Sequence, residues 1–462
     1  MKIKKLQKLI KKNKNIEKTI NYGIIFLMFL LSYYFIFALN SINFFPVSGD
    51  TAEFFSNTIF MDKFLPFKYN VGRALRFLPF QMLDYNILLI FPDSVNKLAL
   101  TYQFLNIKFL ILLISIYFLT KYISQLAKVK FDKFIVFSIM FLFSDYTFEI
   151  FYEPVYAEMI ISTLLIIFTM TYIKAQKEQK PLYYIISGII MFYTTYCKET
   201  VIGIFITIAI AQLVFNRKKL TKLDKYFIYG IFANCAIFLL LYYILVVKDF
   251  NEEWIYMEVD KPKSIQKYLN YLSFIFYNNK FLYFLFPLWI YDFWKLIKKD
   301  KYFLIHTLSL CGFVWMISFF ILCIEWGHHY YKLCLIVSLP SIYIVLNKIK
   351  YKKIVYAILF ILILFSIKNK NANLKKFNDY NTNTEKSLGQ LTQIYNSNKS
   401  ICYPQKDYWE MAYLNNILNY IIKSKTNKMK KGQDDCDILV YSKYNYPNTL
   451  NFQHFSFLIK QK

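Results

Sequence analysis

Arginine is almost missing from this chain. Only Arg73, Arg76 and Arg217 occur in 462 residues, although Lys and Arg together number 56 against 29 Asp and Glu. Lysine therefore supplies nearly all of the formal net charge of +27, and the richness in Lys, Asn and Ile also points to a biased genome. A Gly-rich loop that would cradle a nucleotide phosphate is lacking, as is any CxxC or His/Cys cluster with zinc spacing. No small-residue cleavage site follows the first apolar run, and no internal repeat is visible. These absences argue against a nucleotide-dependent enzyme, a zinc site, a cleaved leader and an inverted-repeat transporter. Strong basicity is compatible with nucleic-acid binding, but membrane topology explains the charge better, so no nucleic-acid partner is expected.

Apolar length dominates what is present. Hydrophobic residues make up 57% of the chain and aromatic residues 21%. A soluble protein of this size cannot bury that much apolar surface. Runs of about twenty apolar residues span the hydrocarbon core as helices. They fall near 22–39, 98–119, 134–151, 155–173, 182–197, 200–215, 226–247, 281–297, 302–323, 331–347 and 354–367. The expected fold class is an all-α polytopic membrane protein of about eleven transmembrane helices, with a small C-terminal extracytoplasmic α/β domain. Residues 1–20 form a basic cytoplasmic N-terminus, 21–367 the transmembrane domain and 368–462 the outer domain. In the last, Ser400–Tyr403 and Asp437–Tyr441 read as strands and Tyr408–Ile422 as a helix, a βαβ-like pattern.

Charge orients the spans. Segments 1–20, 120–133, 174–180, 216–225, 295–301 and 348–353 carry 28 Lys/Arg and five acids. The alternate segments 40–97, 145–158, 197–200, 248–280 and 324–332 carry 12 Lys/Arg and 16 acids. The positive-inside rule then places the protein in the inner (cytoplasmic) membrane, with the N-terminus cytoplasmic and the C-terminus extracytoplasmic. Two outer connections are long, 40–97 and 248–280. Within the first, Phe54–Phe60 and Ile87–Phe91 fit short amphipathic helices in the interface.

The chemically interesting groups fall on the outer side. Asp50 and Glu53 lie in Ser48-Gly49-Asp50-Thr51-Ala52-Glu53; the spacing suits a helix capping box, and a carboxylate there also suits a general base. Arg73 and Arg76 follow in the same loop, able to hold a phosphate or to anchor an interfacial helix to headgroups. Asp145, Glu149 and Glu153 are spaced by four, so one helical turn aligns them, and Glu158 opens an apolar run. Lys198 and Glu199 sit between two apolar runs, either as an ion pair at a helical hairpin or as a cation holding an anionic headgroup. His328 and His329 in Glu325-Trp326-Gly327-His328-His329 suit headgroup or substrate contact better than metal. Five cysteines (Cys197, Cys235, Cys311, Cys323, Cys334) lie in or beside spans as small apolar residues. Cys402 and Cys436 are alone in the outer domain and pair if that compartment is oxidising.

These motifs, taken in order over roughly residues 20–350, resemble the glycosyltransferase-C superfamily, in particular the branch similar to bacterial protein mannosyltransferases and lipid A aminoarabinose transferase. Asp50 matches the family's carboxylate in the first outer loop. Glu158 in Ala157-Glu158-Met159-Ile160 matches an acid that opens the fourth span. Gly188 through Cys197-Lys198-Glu199 is similar to a span ending in Thr-Lys-Gly, and His328-His329-Tyr330-Tyr331-Lys332-Leu333 with Leu339-Pro340 to a loop leading into a Tyr-Leu-x-Pro segment. Glu53 stands three residues from Asp50 where the family often has adjacent acids, and Glu199 replaces a small residue.

The resemblance implies an inverting transferase that moves a sugar from a polyprenyl-phosphate donor to a hydroxyl acceptor, which is a cell-envelope glycan, lipid or protein. Asp50 is then the general base, with Glu53 beside it. Lys198, Arg73 and Arg76 bind the donor phosphate. Glu158, Glu153, Glu199, His328 and His329 orient substrate. No cofactor is required by the residues, and a divalent cation is left open. Two alternatives are carried: a polysaccharide polymerase or ligase acting on lipid-linked glycans, and a lipid-linked-sugar transporter. The transporter needs polar groups at mid-membrane, where Lys108, Asn234 and Asp292 are the candidates, none with an obvious partner in sequence.

Overall fold

The computed structural model describes residues 19, 21–33, 69–71, 74–76, 80, 83–92, 97–152, 157–248, 265–278, 280–321, 328–396, 401–403, 429–431, 438–441, 450–451 and 456–459. It is mostly helical. In chain order the helices are α1 (Asn21–Tyr33), α2 (Lys97–Ala127), α3 (Lys133–Tyr152), α4 (Glu158–Glu178), α5 (Pro181–Cys197), α6 (Ile202–Phe215), α7 (Lys222–Tyr242), α8 (Ile265–Asn278), α9 (Leu282–Ile297), α10 (Phe303–Ile321), α11 (His328–Lys348) and α12 (Lys352–Asn396). Four helical stretches are long and apolar enough to cross a bilayer: Gln103–Ala127, Glu158–Glu178, Lys222–Leu245 and Lys352–Ala372. Large apolar side chains such as Phe118, Ile189, Leu240, Ile290 and Phe365 remain exposed on these helices and their neighbours. In water such a surface is unfavourable, whereas lipid solvates it.

Short connections reverse the chain and sort its turns to two ends. At one end Lys198 pairs with Glu158 and the Phe80 N–H donates to the Tyr196 carbonyl at 3.3 Å. At the other the Tyr302 hydroxyl donates to the Ala127 carbonyl at 3.1 Å. There, too, Asp132 accepts from the Tyr356 hydroxyl at 2.5 Å, and its N–H donates to the Tyr343 oxygen at 3.2 Å. That second end carries the Lys-rich turns between α2 and α3, α6 and α7, α9 and α10, and α11 and α12. Helix α7 starts there with a full capping box, in which the Asp224 N–H donates to the Thr221 hydroxyl and the Thr221 N–H to Asp224. The Tyr184 hydroxyl donates to the same carboxylate at 2.5 Å.

Several boundaries differ from those the sequence suggests. Helix α12 does not stop near 367 but runs 45 residues to Asn396, about 67 Å at 1.5 Å per residue. Only Gly389 and no proline interrupts it, so nothing local ends the helix where the apolar run ends. Helix α8 lies inside the second long connection, where the sequence has no apolar run long enough to span. In the first connection a 3-10 helix covers Leu83–Ile90, and a two-stranded hairpin pairs β1 (Tyr69–Val71) with β2 (Ala74–Arg76). Arg76 therefore sits on a strand rather than on an interfacial helix; Phe54–Phe60 lies outside the described residues. Toward the C-terminus, β3 (Ile401–Tyr403) pairs in parallel with both β4 (Met429–Lys431) and β5 (Ile438–Tyr441). The sheet continues antiparallel through β7 (Ser456–Ile459) to β6 (Leu450–Asn451). The stretch 408–422 is outside the described residues.

Helices α10 and α11 approach each other closely at Gly312. A Cβ at Gly312 would stand 3.0 Å from the Cys334 carbonyl, 3.0 Å from the Ser338 hydroxyl and 3.2 Å from Val337. The Cys334 thiol uses this proximity to donate to the Gly312 carbonyl at 3.2 Å. Trp289 of α9 closes the layer by donating to the Ser338 hydroxyl at 3.0 Å. Gly312→Ala gains about 1 kcal/mol of helix propensity, but overpacking against a backbone carbonyl costs about 1–3 kcal/mol. The expected net effect is a lowered melting temperature in detergent, larger still for Gly312→Leu. Gly230→Ala, where a Cβ meets nothing within 4 Å, should be neutral or stabilising in the same assay.

Candidate functional site

The end of α5 organises the polar groups at its end of the molecule. Thr194 and Thr195 turn their hydroxyls back onto the helix, donating to Ile190 and Met191 carbonyls at 2.8 Å. That leaves the Thr195 oxygen free to accept from the Asn234 amide of α7 at 3.1 Å. Lys198 then leaves the helix in an extended conformation, φ −158° and ψ 121°, with its N–H on the Thr194 carbonyl at 3.2 Å. The single turn Glu199–Val201 starts α6 immediately afterwards. One extended residue between two apolar helices thus projects a lysine sideways, and its ammonium meets Glu158, the first residue of α4. The pair is buried, with 12% of the Lys198 and 1% of the Glu158 side chain exposed. Glu158 stands at a helix N-terminus, where the unpaired N–H groups favour its negative charge.

Beside this pair, Phe80 is anchored to the same helix end. Its carbonyl accepts from the Cys197 thiol at 3.3 Å, and its ring stacks on Tyr193 with centroids 5.1 Å apart. The tail of the first long connection is therefore fixed next to Lys198. A little farther on, Asp84 in the 3-10 helix pairs with Lys108 of α2. Lys108, singled out in the sequence only as an isolated mid-membrane charge, is thus partnered by that connection. A further lysine, Lys370 of α12, is buried against α3, where its ammonium donates to the Phe141 carbonyl at 3.0 Å and contacts Ser144. Neither the Asp84 pairing nor the burial of Lys370 is legible in the sequence; Asp84 and Lys108 stand as single charges in apolar surroundings, whereas Lys370 lies in a Lys- and Asn-rich stretch that carries no such signal.

Of the residues read as functional, Lys198 and Glu158 are brought into contact across forty positions. The ion pair of Lys198 is made with Glu158, not with its neighbour Glu199, because the extended backbone at Lys198 sends the two side chains apart. One Glu199 carboxylate oxygen is buried with no hydrogen-bond partner. His328 and His329 open α11, whose other terminus meets the Lys-rich end, so they belong to the Lys198 end; their side chains lie outside the described part. Asp145 and Glu149 fall on α3, likewise without described side chains. Arg76 is placed by its backbone alone, and Asp50, Glu53, Arg73, Glu153 and Cys436 are outside the described residues. Cys402 is disulfide-bonded, while Cys197, Cys235, Cys311 and Cys334 are free thiols.

A second buried cluster occupies the Lys-rich end. Asp292 of α9 is fully buried and accepts from the Ser341 hydroxyl at 2.7 Å; His306 Nδ1 lies 2.7 Å from the same oxygen. His306 Nε2 faces Asp300 at 3.5 Å. Burial pushes the Asp300 carboxyl up, but the Tyr302 N–H, His306 and Lys295 outweigh it and hold it below the usual carboxylate value. Every one of Lys108, Asn234 and Asp292 thus has an internal partner.

A comparison with protein-family models finds no match for the chain, and neither does one with curated proteins.

Removing one member of the Glu158–Lys198 pair takes a close opposite charge away from a buried one, and breaking such a pair costs about 3–5 kcal/mol. Lys198→Met and Glu158→Gln should each lower the melting temperature in detergent. The double variant should recover most of the loss, because two well-packed neutral groups replace two desolvated charges. A double variant as unstable as the sum of the singles would show that the two side chains do not act on each other.

Proposed function

We propose that this protein is an integral membrane glycosyltransferase that moves a sugar from a polyprenyl-phosphate donor to a hydroxyl on the outer side of the membrane. The observation that carries the reading is the buried Lys198–Glu158 pair at the helix end where Phe80 docks. A lysine held at that depth by a carboxylate suits an anionic lipid headgroup, since the bilayer positions the lipid tail and the ammonium meets the phosphate. In the proposed reaction the acceptor oxygen attacks the anomeric carbon and gives its proton to Asp50. The bond from that carbon to the phosphate oxygen breaks, and polyprenyl phosphate leaves with the electron pair. Lys198, with Arg73 and Arg76, offsets the charge that develops on the departing phosphate. Glu53, Glu158, Glu153, Glu199, His328 and His329 orient sugar or acceptor. The acceptor is a glycan, lipid or protein, and a divalent cation remains compatible with the carboxylates.

The reading includes the topology: eleven spans, a cytoplasmic N-terminus, outer connections 40–97 and 248–280, and an extracytoplasmic α/β domain from 368 onward. The concentration of Lys-rich turns at the end opposite Lys198 supports it, and so does the disulfide at Cys402, since disulfides persist in oxidising compartments. Internal partners for Lys108, Asn234 and Asp292 favour the enzyme over the transporter, because polar groups that satisfy one another inside the protein line no obvious path.

Asp50→Asn should reduce transfer at least a thousandfold, and Lys198→Met roughly a hundredfold, with insertion unchanged. Mass spectrometry of envelope glycans and glycoproteins from cells lacking the protein, complemented with each variant, reads this out. Near-normal glycans with Asp50→Asn would sink the assignment of the base. For topology, a membrane-impermeant maleimide should label Cys402 in right-side-out vesicles only after reduction. Labelling without reductant would remove the disulfide, and labelling only after lysis would reverse the orientation.

A further inference from the structure

The proposed chemistry uses Lys198 but leaves unexplained a second buried ion pair close by. Asp84 and Lys108 are 14% and 12% exposed at their side chains. The Lys108 ammonium also sits 3.9 Å from the Tyr85 ring centroid and 4.6 Å from that of Phe104, and these two rings meet edge to face at 5.6 Å. A cation enclosed by one carboxylate and two aromatic faces has a fixed position. Asp84 and Tyr85 belong to the 3-10 helix, Phe104 and Lys108 to α2. The short helix is thereby fastened to α2. Four residues before Asp84, Phe80 is fastened to α5 by its N–H on Tyr196, its carbonyl on the Cys197 thiol and its ring on Tyr193. The segment from Phe80 to Tyr85 therefore bridges α2 and the last turn of α5, and the next residue after that turn is Lys198.

We infer that Asp84 and Lys108 are positioning residues, which lock the tail of the first long connection onto the end of α5 and so set where Lys198 stands. An ion pair gives little net stability over an apolar pair of the same size. What it supplies is direction: the short helix seats in one register, with Asp84 against Lys108 and Phe80 against Cys197. The same lock makes the connection that carries Arg73 and Arg76 continuous with the Lys198 end. Its effect on lipid-phosphate binding rests on the function proposed above; the lock itself does not.

The test uses the full-length protein in membranes. Asp84→Asn with Lys108→Met removes both charges without stranding either. N-ethylmaleimide modification, located by peptide mass mapping, should then proceed at least tenfold faster at Cys197 than in the parent protein. Cys311 and Cys334, buried in α10 and α11, should keep their slow rates, which checks that the fold is intact. Lys108→Arg retains the cation and should keep Cys197 protected. If the double variant also loses protection at Cys311 and Cys334, Asp84→Asn alone carries the same comparison. The second readout is retention of undecaprenyl phosphate by the purified protein in native mass spectrometry. Half-saturation should rise about tenfold in the double variant and in Lys198→Met, and stay at the parent value in Lys108→Arg. A Cys197 rate unchanged by loss of both charges overturns the inference. So does a Cys197 that opens while undecaprenyl phosphate is held as before, since the pair would then be structural only. A parent protein that holds no undecaprenyl phosphate would defeat the lipid-phosphate reading of Lys198, and the Cys197 rates would still decide whether the lock exists.

Discussion

A charge inside a bilayer must find its counter-charge inside the protein, and the placement of polar groups here follows from that constraint. Lipid supplies no hydrogen bonds, so an unpaired ammonium or carboxylate at membrane depth costs several kcal/mol. Among the described residues, several buried charges are accordingly met by partners on another element. Glu158 meets Lys198, Asp84 meets Lys108, and Asp292 meets His306 and Ser341. Lys370 uses a backbone carbonyl and a serine hydroxyl. Uncharged polar side chains obey the same rule more cheaply. Ser115, Thr120, Ser138, Thr163 and Thr194 return their hydroxyls to carbonyls three or four residues earlier on their own helices.

Because those partners are distant, the pairs also determine which helices lie together. The Lys198–Glu158 contact joins the end of α5 to the start of α4, and Asp84–Lys108 joins a connecting segment to α2. Between apolar helices in lipid there is little hydrophobic drive to associate, so directional contacts and close packing carry the selection. Gly312 represents the packing half of that selection. Without a side chain there, α10 and α11 approach until a thiol reaches across to a main-chain carbonyl.

Much of the helical layout is legible in the sequence, because a run of apolar residues flanked by lysines has one physical interpretation. The starts of α4 at Glu158 and α5 at Pro181 are examples: a carboxylate and a proline both favour a helix N-terminus. The end of α12 was not legible. Its apolar face stops near Phe365, yet the Asn- and Lys-rich sequence beyond contains no proline, and helix propagation needs only backbone hydrogen bonds. Pairings were also hidden. Lys198 has an acid immediately next to it in sequence, and the sequence alone offers Glu199 as its partner. The extended backbone at position 198 decides otherwise, a consequence of how tightly α5 turns into α6. Lys108 and Asp292 looked isolated for the same reason: periodicity along one helix says nothing about the helix that packs against it. The candidate site is therefore legible as residue types and not as contacts.

The tight turn after α5 has a chemical consequence. A lysine within a helix would point along the helix surface toward lipid or a neighbouring helix, and its long side chain would snorkel to the interface. Placed instead on the one extended residue between two helices, with Cys197 and Tyr196 tied to Phe80 on one side and the Glu199 turn on the other, Lys198 has little freedom left in its backbone. Its ammonium is then aimed by the fold, against the Glu158 carboxylate. A flexible interfacial lysine attracts any anion that arrives, whereas an aimed and counter-balanced one favours a phosphate presented at one depth and from one direction. In the proposed reaction a lipid-anchored donor meets that geometric demand, because its tail fixes both depth and direction.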